Sequence, residues 1–312
     1  KVDTDLVGNY KDTIKIIAPM TIFGKTEGYL LIGPKMIGKY DEQDYQFVSS
    51  LATTTISALE NERLIQEEIE KKRFETEIGL ASDIQKRLLP KNSLETDSFS
   101  FYGMTLPSSE VGGDYFDYVK VSDNKYLFVI ADVTGKGMPA ALIMSNIQAA
   151  IQSLAPIEKD LKALVNTVNK IVYKNTSKDM FITAFFCLLD TKKNELEYIN
   201  AGHFYPLLSN GFELKELKKG GVILGFLPSP QSYESEILKF EDTLYMYTDG
   251  FNEATDEFGN ELGMEGVKSI VSKTTKLKSK QATEFILKET QKYSNRTHLT
   301  DDISIVVLKR KK

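Results

Sequence analysis

A long stretch without proline, from Asp44 to Leu89, most constrains how this chain can fold. It contains one glycine, Gly79, and its apolar residues recur at steps of three or four among many charged residues. Pro90 ends the pattern, because a proline disfavours helix in the residue before it. A continuous helix of this length spans ~65 Å, which is too long to pack wholly against one small domain. The sequence therefore predicts two domains joined by a helical linker, residues 61–91.

Composition limits the classes of protein to consider. The 312 residues include 41% hydrophobic and 27% charged residues, with a net charge of −5, which is typical of a soluble globular protein and gives no reason to expect a nucleic acid partner. One cysteine and two histidines exclude a disulfide framework and a zinc site built from Cys and His, so we expect a reducing, cytoplasmic location. The longest apolar run, Phe181–Leu189, is shorter than the ~20 residues that cross a bilayer. Because the chain begins with Lys1 rather than Met, we expect a fragment of a longer protein.

Residues 92–312 contain strand and helix patterns in uneven groups. Helical spacing predicts helices at Ala140–Leu154, Leu161–Tyr173, Met264–Val271 and Lys280–Tyr293. Apolar and β-branched runs predict strands at Phe99–Met104, Tyr126–Ala131, Phe181–Asp190, Leu196–Ile199, Thr243–Tyr247 and Ile303–Leu308. The absence of strict β-α-β alternation favours an α+β layered domain over a doubly wound sheet.

Four short stretches place aspartate beside small residues at the ends or edges of predicted strands. They are Val111–Tyr115, Ala131–Gly137, Tyr247–Gly250 and Thr300–Ser304. Each stretch alone is ordinary turn chemistry. Carboxylates brought together repel one another unless a cation neutralises them, and oxygen ligands select magnesium or manganese. The four stretches together therefore predict a metal site.

The order and wording of these stretches resemble PPM-type (type-2C) protein phosphatases, in particular the bacterial SpoIIE/RsbU branch. The likeness covers about residues 80–310 and is carried by Gly113–Asp117, Asp132–Gly137, Asn200–His203, Thr248–Phe251 and Asp301–Ser304. The resemblance implies that residues 92–312 form a four-layer α-β-β-α sandwich. It also implies two ions, Mn²⁺ or Mg²⁺, at one edge of the paired sheets.

The resemblance also implies roles for individual residues. Asp132 would bridge both ions and, with Asp249, carry the catalysis. The carbonyl of Val133, a position where many relatives have glycine, would complete one coordination sphere. Asp249 and Asp301 would ligate one ion, and Asp114 would help to hold the pair. Asp302 is left open as a ligand, a partner of the ligands, or a capping or surface-facing residue.

The implied activity is hydrolysis of phosphoserine or phosphothreonine on a protein by a metal-activated water. The resemblance points to an anti-sigma-factor antagonist of the STAS type as the substrate, in bacterial signalling. No match to the phosphate-binding arginine of the eukaryotic enzymes is found, so Lys136 is expected to help to bind the substrate phosphate. Two alternatives stay open: a catalytically silent interaction module with the same fold, and a hydrolase for a small phosphorylated metabolite.

Three other candidates have a structural and a functional interpretation. Cys187 lies in an apolar strand pattern, which favours buried packing over a thiolate nucleophile. For His203 a structural hydrogen bond is favoured over general-acid catalysis, and His298 is expected at the surface. The run Gly112–Phe116 superficially resembles the diguanylate cyclase signature, but Tyr115 stands where that signature has glutamate.

The first 60 residues resemble the C-terminal half of a GAF domain. Pro19–Met20, Gly28–Gly33, Tyr40–Glu42 and Ala58–Leu64 carry the likeness. The resemblance implies a partial GAF-like α/β domain at residues 1–60, and small-ligand sensing and a structural or dimerising cap remain equal interpretations. A homodimer through the linker helix is expected, with a single solvated helix as the alternative.

Overall fold

The computed structural model describes residues 13–90, 93–176, 179–228, 232–294 and 301–311. The chain divides into two compact units, Lys1–Glu77 and Ile78–Lys312. In the described part of the first unit, strands β1 (Ile16–Ile22) and β2 (Lys25–Ile32) form an antiparallel hairpin, as the two glycine-bounded apolar runs predict. Its small core joins the hairpin to the first turns of the helix that follows, through Ile16, Ala18, Val48 and Ala52.

Helix α1 (Glu42–Leu88) confirms the helix predicted from the proline-free stretch. Acidic residues lie in its first turn and basic residues in its last, where their charges suit the helix dipole. Arg63 pairs with Glu60 and Glu67 at distances of 2.6 and 2.7 Å, a spacing that supports an exposed helix. Several apolar side chains nevertheless stay exposed: Leu59, Leu64, Ile65, Ile69 and Phe74. The predicted domain bounds at residues 60 and 91 stay predictions.

The second unit contains two six-stranded sheets. The first sheet, in the order β10-β9-β13-β14-β4-β3, consists of β3 (Leu94–Glu95), β4 (Phe99–Leu106), β9 (Leu207–Ser209), β10 (Leu214–Glu216), β13 (Thr243–Tyr247) and β14 (Ile303–Arg310). The second, in the order β11-β8-β7-β6-β5 with β12 also paired to β8, consists of β5 (Tyr115–Ser122), β6 (Lys125–Val133), β7 (Ile182–Asp190), β8 (Glu195–Ala201), β11 (Gly220–Gly221) and β12 (Glu236–Lys239).

Among the described residues, five further helices belong to this unit: α2 (Met138–Leu154), α3 (Leu161–Asn175), α4 (Asp249–Asn252), α5 (Gly263–Ser272) and α6 (Ser279–Ser294). Alternation along the strands assigns their side chains to different layers, because successive residues point to opposite faces of a sheet. In β6, Leu127 and Val129 pack in the core with α2 and α3, whereas Phe128 and Ile130 pack between the two sheets. In β14, Ile303 and Ile305 pack in the core with α5 and α6, and Val306 packs between the sheets.

Three successive cores therefore build the predicted four-layer α-β-β-α sandwich. The six strands and four helices predicted within residues 92–312 are all present, with ends shifted by at most three residues. The prediction missed β5, the short strands β3 and β9 to β12, and the four-residue helix α4. None of the described helices combines the length and apolarity that a membrane crossing requires.

Cys187 and Asp117 are two of the side chains buried in this unit, and the second of them joins a helix to a sheet. Cys187 lies in the core between the sheets, and burial raises the pKa of its thiol, so the packing interpretation is confirmed. The buried Asp117 carboxylate accepts hydrogen bonds from the Tyr115 hydroxyl at 2.8 Å and from the Gln152 amide at 2.6 Å. Burial raises the pKa of Asp117 despite these donors. Because Gln152 belongs to α2, this carboxylate fastens the helix to β5.

Candidate metal centre

The strand alternation that builds the middle core also brings aspartates together beyond its end. In β6, Asp132 follows Phe128 and Ile130 on the face toward the other sheet. Asp114 immediately precedes β5, whose Tyr115 pairs with Ala131 of β6, so Asp114 and Asp132 are neighbours across the two strands. On the opposite sheet, Asp302 precedes β14 and shares the inward parity of Val306. Every second residue of these strands faces the other sheet. These inward-facing positions are apolar along the strands and carry aspartates where the strands end.

Asp114 is the most deeply buried carboxylate of the cluster, with 5% of its surface exposed. Burial and the charge of Asp132 raise its pKa well above the usual value, and hydroxyl groups of Ser304 and Thr248 offset this in part. The Thr248 hydroxyl donates to Asp114 Oδ2 at 2.8 Å and accepts the backbone N–H of Ser304 at 2.9 Å. Asp114 is therefore held across the gap between the two sheets.

Asp132 and Asp249 form the partly buried middle of the cluster. Burial, followed by the charges of Asp249, Asp301 and Asp302, raises the pKa of Asp132 from 3.8 to about 7. Burial and the charge of Asp301 raise the pKa of Asp249. These shifts mean that the carboxylates oppose one another's ionisation, which a bound cation would reverse.

Asp301 and Asp302 are adjacent in sequence but occupy different environments. Asp301 is partly exposed, and its Oδ2 lies 3.1 Å from Lys136 Nζ. Asp302 is 6% exposed, and its Oδ1 accepts hydrogen bonds from the backbone N–H and the hydroxyl of Ser108 at 2.7 and 2.8 Å. The surface-facing interpretation of Asp302 is therefore wrong, because this carboxylate is buried and fixed by Ser108. The salt bridge places Lys136 beside the carboxylates.

Two glycines leave room for this arrangement. A Cβ atom at Gly113 would lie 2.7 Å from the carbonyl oxygen of Val133, and one at Gly112 would collide with the Asp302 carboxylate. A side chain at either position would displace one of these oxygens. The glycines therefore keep the Val133 carbonyl and the buried carboxylate uncovered.

His203 is a structural residue of the adjoining loop. It is buried, its Nδ1 lies 2.8 Å from the Thr183 hydroxyl, and its Nε2 lies 3.1 Å from the carbonyl oxygen of Tyr247. Since a carbonyl only accepts, Nε2 carries the proton and Nδ1 accepts from Thr183. Burial lowers the pKa of His203 to about 4. The structural interpretation is thus confirmed, whereas His298 lies outside the described residues.

The donor set fits a hard divalent cation. It offers carboxylate oxygens and one backbone carbonyl, which are the ligands that magnesium and manganese prefer. Within the described ranges, no three acidic, histidine or cysteine side chains are arranged to hold an ion without adjustment.

Several supporting residues were missed by the sequence analysis. Thr248 and Ser304 continue the inward parity of β13 and β14, so alternation alone could have identified them. Gln85 forms hydrogen bonds of 2.6 and 3.1 Å with the backbone of Gly112, a contact that no local pattern signals. Burial and the charge of Asp249 raise the pKa of Glu253, so the Glu253 carboxylate also interacts electrostatically with the cluster.

Comparison with known proteins identifies the family. A model described as Stage II sporulation protein E (SpoIIE) matches residues 122–311, more than half of the chain, although Asp114 precedes the matched range. Phosphoserine phosphatase RsbU of Bacillus subtilis (strain 168) is 28% identical over 257 residues, which cover 80% of this chain and 73% of RsbU.

Solved structures share the fold. The SiaA-PP2C domain of Pseudomonas aeruginosa aligns with a TM-score of 0.68 and 22% identity, covering 78% of this chain and 99% of that domain. RsbX in complex with magnesium aligns with a TM-score of 0.55 and 17% identity, covering 70% of this chain and 99% of RsbX. Because the family model matches more than half of the chain and the layered architecture agrees with it, the chain belongs to the Stage II sporulation protein E (SpoIIE) family.

Proposed function

We propose that this chain is a metal-dependent protein phosphatase that hydrolyses phosphoserine or phosphothreonine on a partner protein. The observation that carries the proposal is the meeting of carboxylates from both sheets at one sheet edge, where burial and mutual repulsion oppose their ionisation. Such a cluster costs stability unless a cation neutralises it. The name of the relative RsbU, a phosphoserine phosphatase, supports the same chemistry.

The proposed roles follow from the environment of each residue. Asp132, Asp249 and Asp301 would hold Mn²⁺ or Mg²⁺, with two ions implied by the family resemblance, and the Val133 carbonyl would add an oxygen ligand. Asp114 would help to hold the pair, oriented by the Thr248 hydroxyl. When bound, such ions lower the pKa of water and offset the charge of phosphoryl oxygens. The backbone N–H of Asp302 donates to Asp301 Oδ1 at 2.9 Å and would orient that ligand. Ser108 fixes Asp302 Oδ1, so Asp302 would reach an ion only through its other oxygen, Oδ2.

Lys136 would contact the substrate phosphate. Its ammonium group pairs with Asp301 Oδ2 at 3.1 Å and is half exposed, so it lies beside the proposed metal ligands with part of its surface open to solvent. A lysine in this position attracts the phosphate as a point charge. We expect Lys136→Ala to raise KM for a phosphorylated substrate more than it lowers kcat.

For the partner we propose an anti-sigma-factor antagonist of the STAS type, in bacterial signalling in the cytoplasm. The support is the resemblance to the SpoIIE/RsbU branch, strengthened by the family match. The decisive measurement is dephosphorylation of phosphorylated STAS proteins from the same genome. If none of these proteins releases phosphate, the proposed STAS substrate is refuted, whereas the proposed phosphatase chemistry is not.

Metal-dependent hydrolysis of p-nitrophenyl phosphate tests the chemistry itself. We expect activity with Mn²⁺ or Mg²⁺, none with EDTA, and losses of at least about a hundredfold in Asp132→Asn and Asp249→Asn, since each removes a ligand. Asp123→Asn is the matched control, because this carboxylate is 94% exposed in a turn. Equal activity in the control and in both ligand variants would overturn the proposal.

The alternative is a catalytically silent interaction module with the same fold. Calorimetric titration with Mn²⁺ separates the two, because the silent module would bind no ion at the aspartates. A small phosphorylated metabolite as substrate would instead show as faster turnover of free phospho-compounds than of phosphopeptides.

Regulation through the first unit is a further part of the proposal. Residues 1–60 would act as a partial GAF-like domain that binds a small ligand or caps the helix. The exposed apolar residues along α1, Ile65 and Ile69 among them, would form a homodimer contact. Light scattering should give twice the chain mass for the wild type and the chain mass for Ile69→Glu, and a monomeric wild type would refute the dimer.

A further inference from the structure

An open pocket of about 540 Å³ lies next to the proposed metal centre, and no residue of it has a role in the chemistry above. Its walls include Phe204, Tyr205, Lys218, Asn252 and Met264. This volume falls within the range of sites that bind small ligands, and it exceeds what a single small side chain needs.

One shared helix and two hydrogen bonds connect this pocket to the segment that carries Asp249. Asn252 lines the pocket and lies in α4, which begins with Asp249. His203, in the floor, donates to the carbonyl of Tyr247, two residues before Asp249. The Tyr247 hydroxyl in turn donates to the carbonyl of Tyr205 in the wall at 2.9 Å. Because Asp249 and Asn252 are three residues apart in α4, their side chains are neighbours on the surface of that helix, which places the pocket beside Asp249.

The polar groups in the floor of the pocket are already satisfied within the protein. The Asn200 amide donates to the carbonyls of His203 and Leu217 at 3.0 and 3.1 Å, and its oxygen accepts the His203 N–H at 2.7 Å. Both ring nitrogens of His203 are also engaged. The side chains of Asn200 and His203 therefore already have their hydrogen-bond partners within the protein.

At the rim of the pocket, the Lys218 ammonium group lies over one face of the Tyr205 ring and forms an ion pair with Glu216. Lys218 Nζ lies 4.8 Å from the centre of the Tyr205 ring and 2.6 Å from Glu216 Oε2. The carbon stem of such a lysine adds apolar surface while its charge is paired. Tyr205 remains 41% exposed, so the ring is available to a ligand. Aromatic and thioether side chains, Phe204 and Met264, supply the other apolar walls.

We propose that this pocket binds a bulky apolar side chain beside the phosphorylated residue of the substrate protein, and that Tyr205 determines this preference. The proposal rests on the proposed phosphatase function and adds its substrate class: a phosphoserine or phosphothreonine flanked by a large apolar residue. Contact with the Tyr205 ring removes the flanking side chain from water, which provides the selectivity.

Matched phosphoserine peptides test the subsite. Each peptide carries either Leu or Gly at one of the two positions on each side of the phosphoserine, and kcat/KM is measured with Mn²⁺ alongside p-nitrophenyl phosphate. We expect one Leu position to raise kcat/KM at least about tenfold over Gly, the factor for one well-buried apolar side chain. Tyr205→Ala should abolish the preference and Tyr205→Phe should retain it. Phe212→Ala, an exposed aromatic in the turn between β9 and β10, is the matched control.

These measurements distinguish a failure of the proposed subsite from a failure of the proposed phosphatase function. Equal kcat/KM for all Leu and Gly peptides overturns the subsite, as does a parallel loss on p-nitrophenyl phosphate in Tyr205→Ala. If the wild type hydrolyses neither class of compound, the phosphatase proposal fails instead. Fluorescence anisotropy of the labelled peptides in EDTA then decides the subsite without turnover, because tighter binding of a Leu peptide that Tyr205→Ala removes still supports it, and equal binding refutes it.

Discussion

Replacing Asp132 by Asn should stabilise the metal-free fold while abolishing activity. Burial and three neighbouring carboxylates raise the pKa of Asp132 from 3.8 to about 7. At about 1.4 kcal/mol per pKa unit, this shift of about three units corresponds to an upper limit of ~4 kcal/mol for ionising Asp132 in the folded state. Because the side chain is partly exposed to solvent, we expect a gain in the free energy of unfolding on the order of 2 kcal/mol.

The expected difference in the free energy of unfolding between Asp132→Asn and the wild type depends on pH. A carboxyl whose pKa is raised on folding favours the folded state below its unfolded pKa of 3.8, and that contribution is lost as the pH rises through about 7. The difference between Asp132→Asn and the wild type should therefore be near zero at pH 4 and greatest at pH 8. Urea unfolding in EDTA measures it, with Asp123→Asn as the exposed control.

Added metal should reverse the order of stability. Mn²⁺ or Mg²⁺ binds the folded wild type and stabilises it in proportion to the logarithm of the free ion concentration, whereas the variant lacks a ligand. The reasoning is refuted if Asp132→Asn is no more stable than the wild type at pH 8 in EDTA. A gain that stays the same from pH 4 to pH 8 would also refute it, because neutralised repulsion requires titration.

Three further perturbations follow from the structure. Asp117→Ala should lower the free energy of unfolding in urea by about 2–4 kcal/mol, since it leaves a buried hydroxyl and amide without their acceptor, and a loss below about 0.5 kcal/mol would contradict the role of this carboxylate. Gly113→Ala should weaken Mn²⁺ binding in calorimetry at least about tenfold by displacing the Val133 carbonyl, while Gly79→Ala, whose added Cβ meets no atom within 4 Å, should leave binding unchanged. Cys187→Ser should retain phosphatase activity and lose about 1–3 kcal/mol of stability in thermal unfolding, and an inactive but folded variant would argue for thiolate chemistry.

Long periodic segments could be predicted from the sequence because their signal is local. The helix predicted at Leu161–Tyr173 repeats its apolar residues at helical spacing, and the strand predicted at Phe181–Asp190 is one long apolar run. Both are present at nearly those bounds. Strands such as β11 and β12 have two and four residues, too few to show a period. Their place in the sheet is set by pairing with β8, which no neighbouring residue reveals.

The aspartates of the proposed site could be selected from the sequence, but most of the residues that contact them could not. Asp132, Asp249 and Asp301 could be recognised because each lies at the end of a predicted apolar strand. Asp114 precedes β5, a strand that was not predicted, so only its glycine neighbours and the family resemblance identified it. Ser108 reaches Asp302 across 194 positions of sequence, and the Thr248 hydroxyl reaches Asp114 across 134. The Ser108 contact depends on the pairing of β4 with β14, and the Thr248 contact depends on how the two sheets stack. Neither follows from any single segment.

The stacking of the sheets explains where the proposed metal site lies. Between the sheets the core is filled by aromatic rings such as Phe101 and Phe128, whose centres are 5.2 Å apart. Beyond the last ring, the same faces present Asp132 and Asp302, which cannot pack as hydrocarbon does. Burying apolar surface stabilises the middle of the sandwich, while gathered carboxylates destabilise its edge until a cation arrives. Metal binding should therefore protect backbone amides from hydrogen exchange at this edge and leave those at Phe128 unchanged, because the ring-filled core does not depend on the ion.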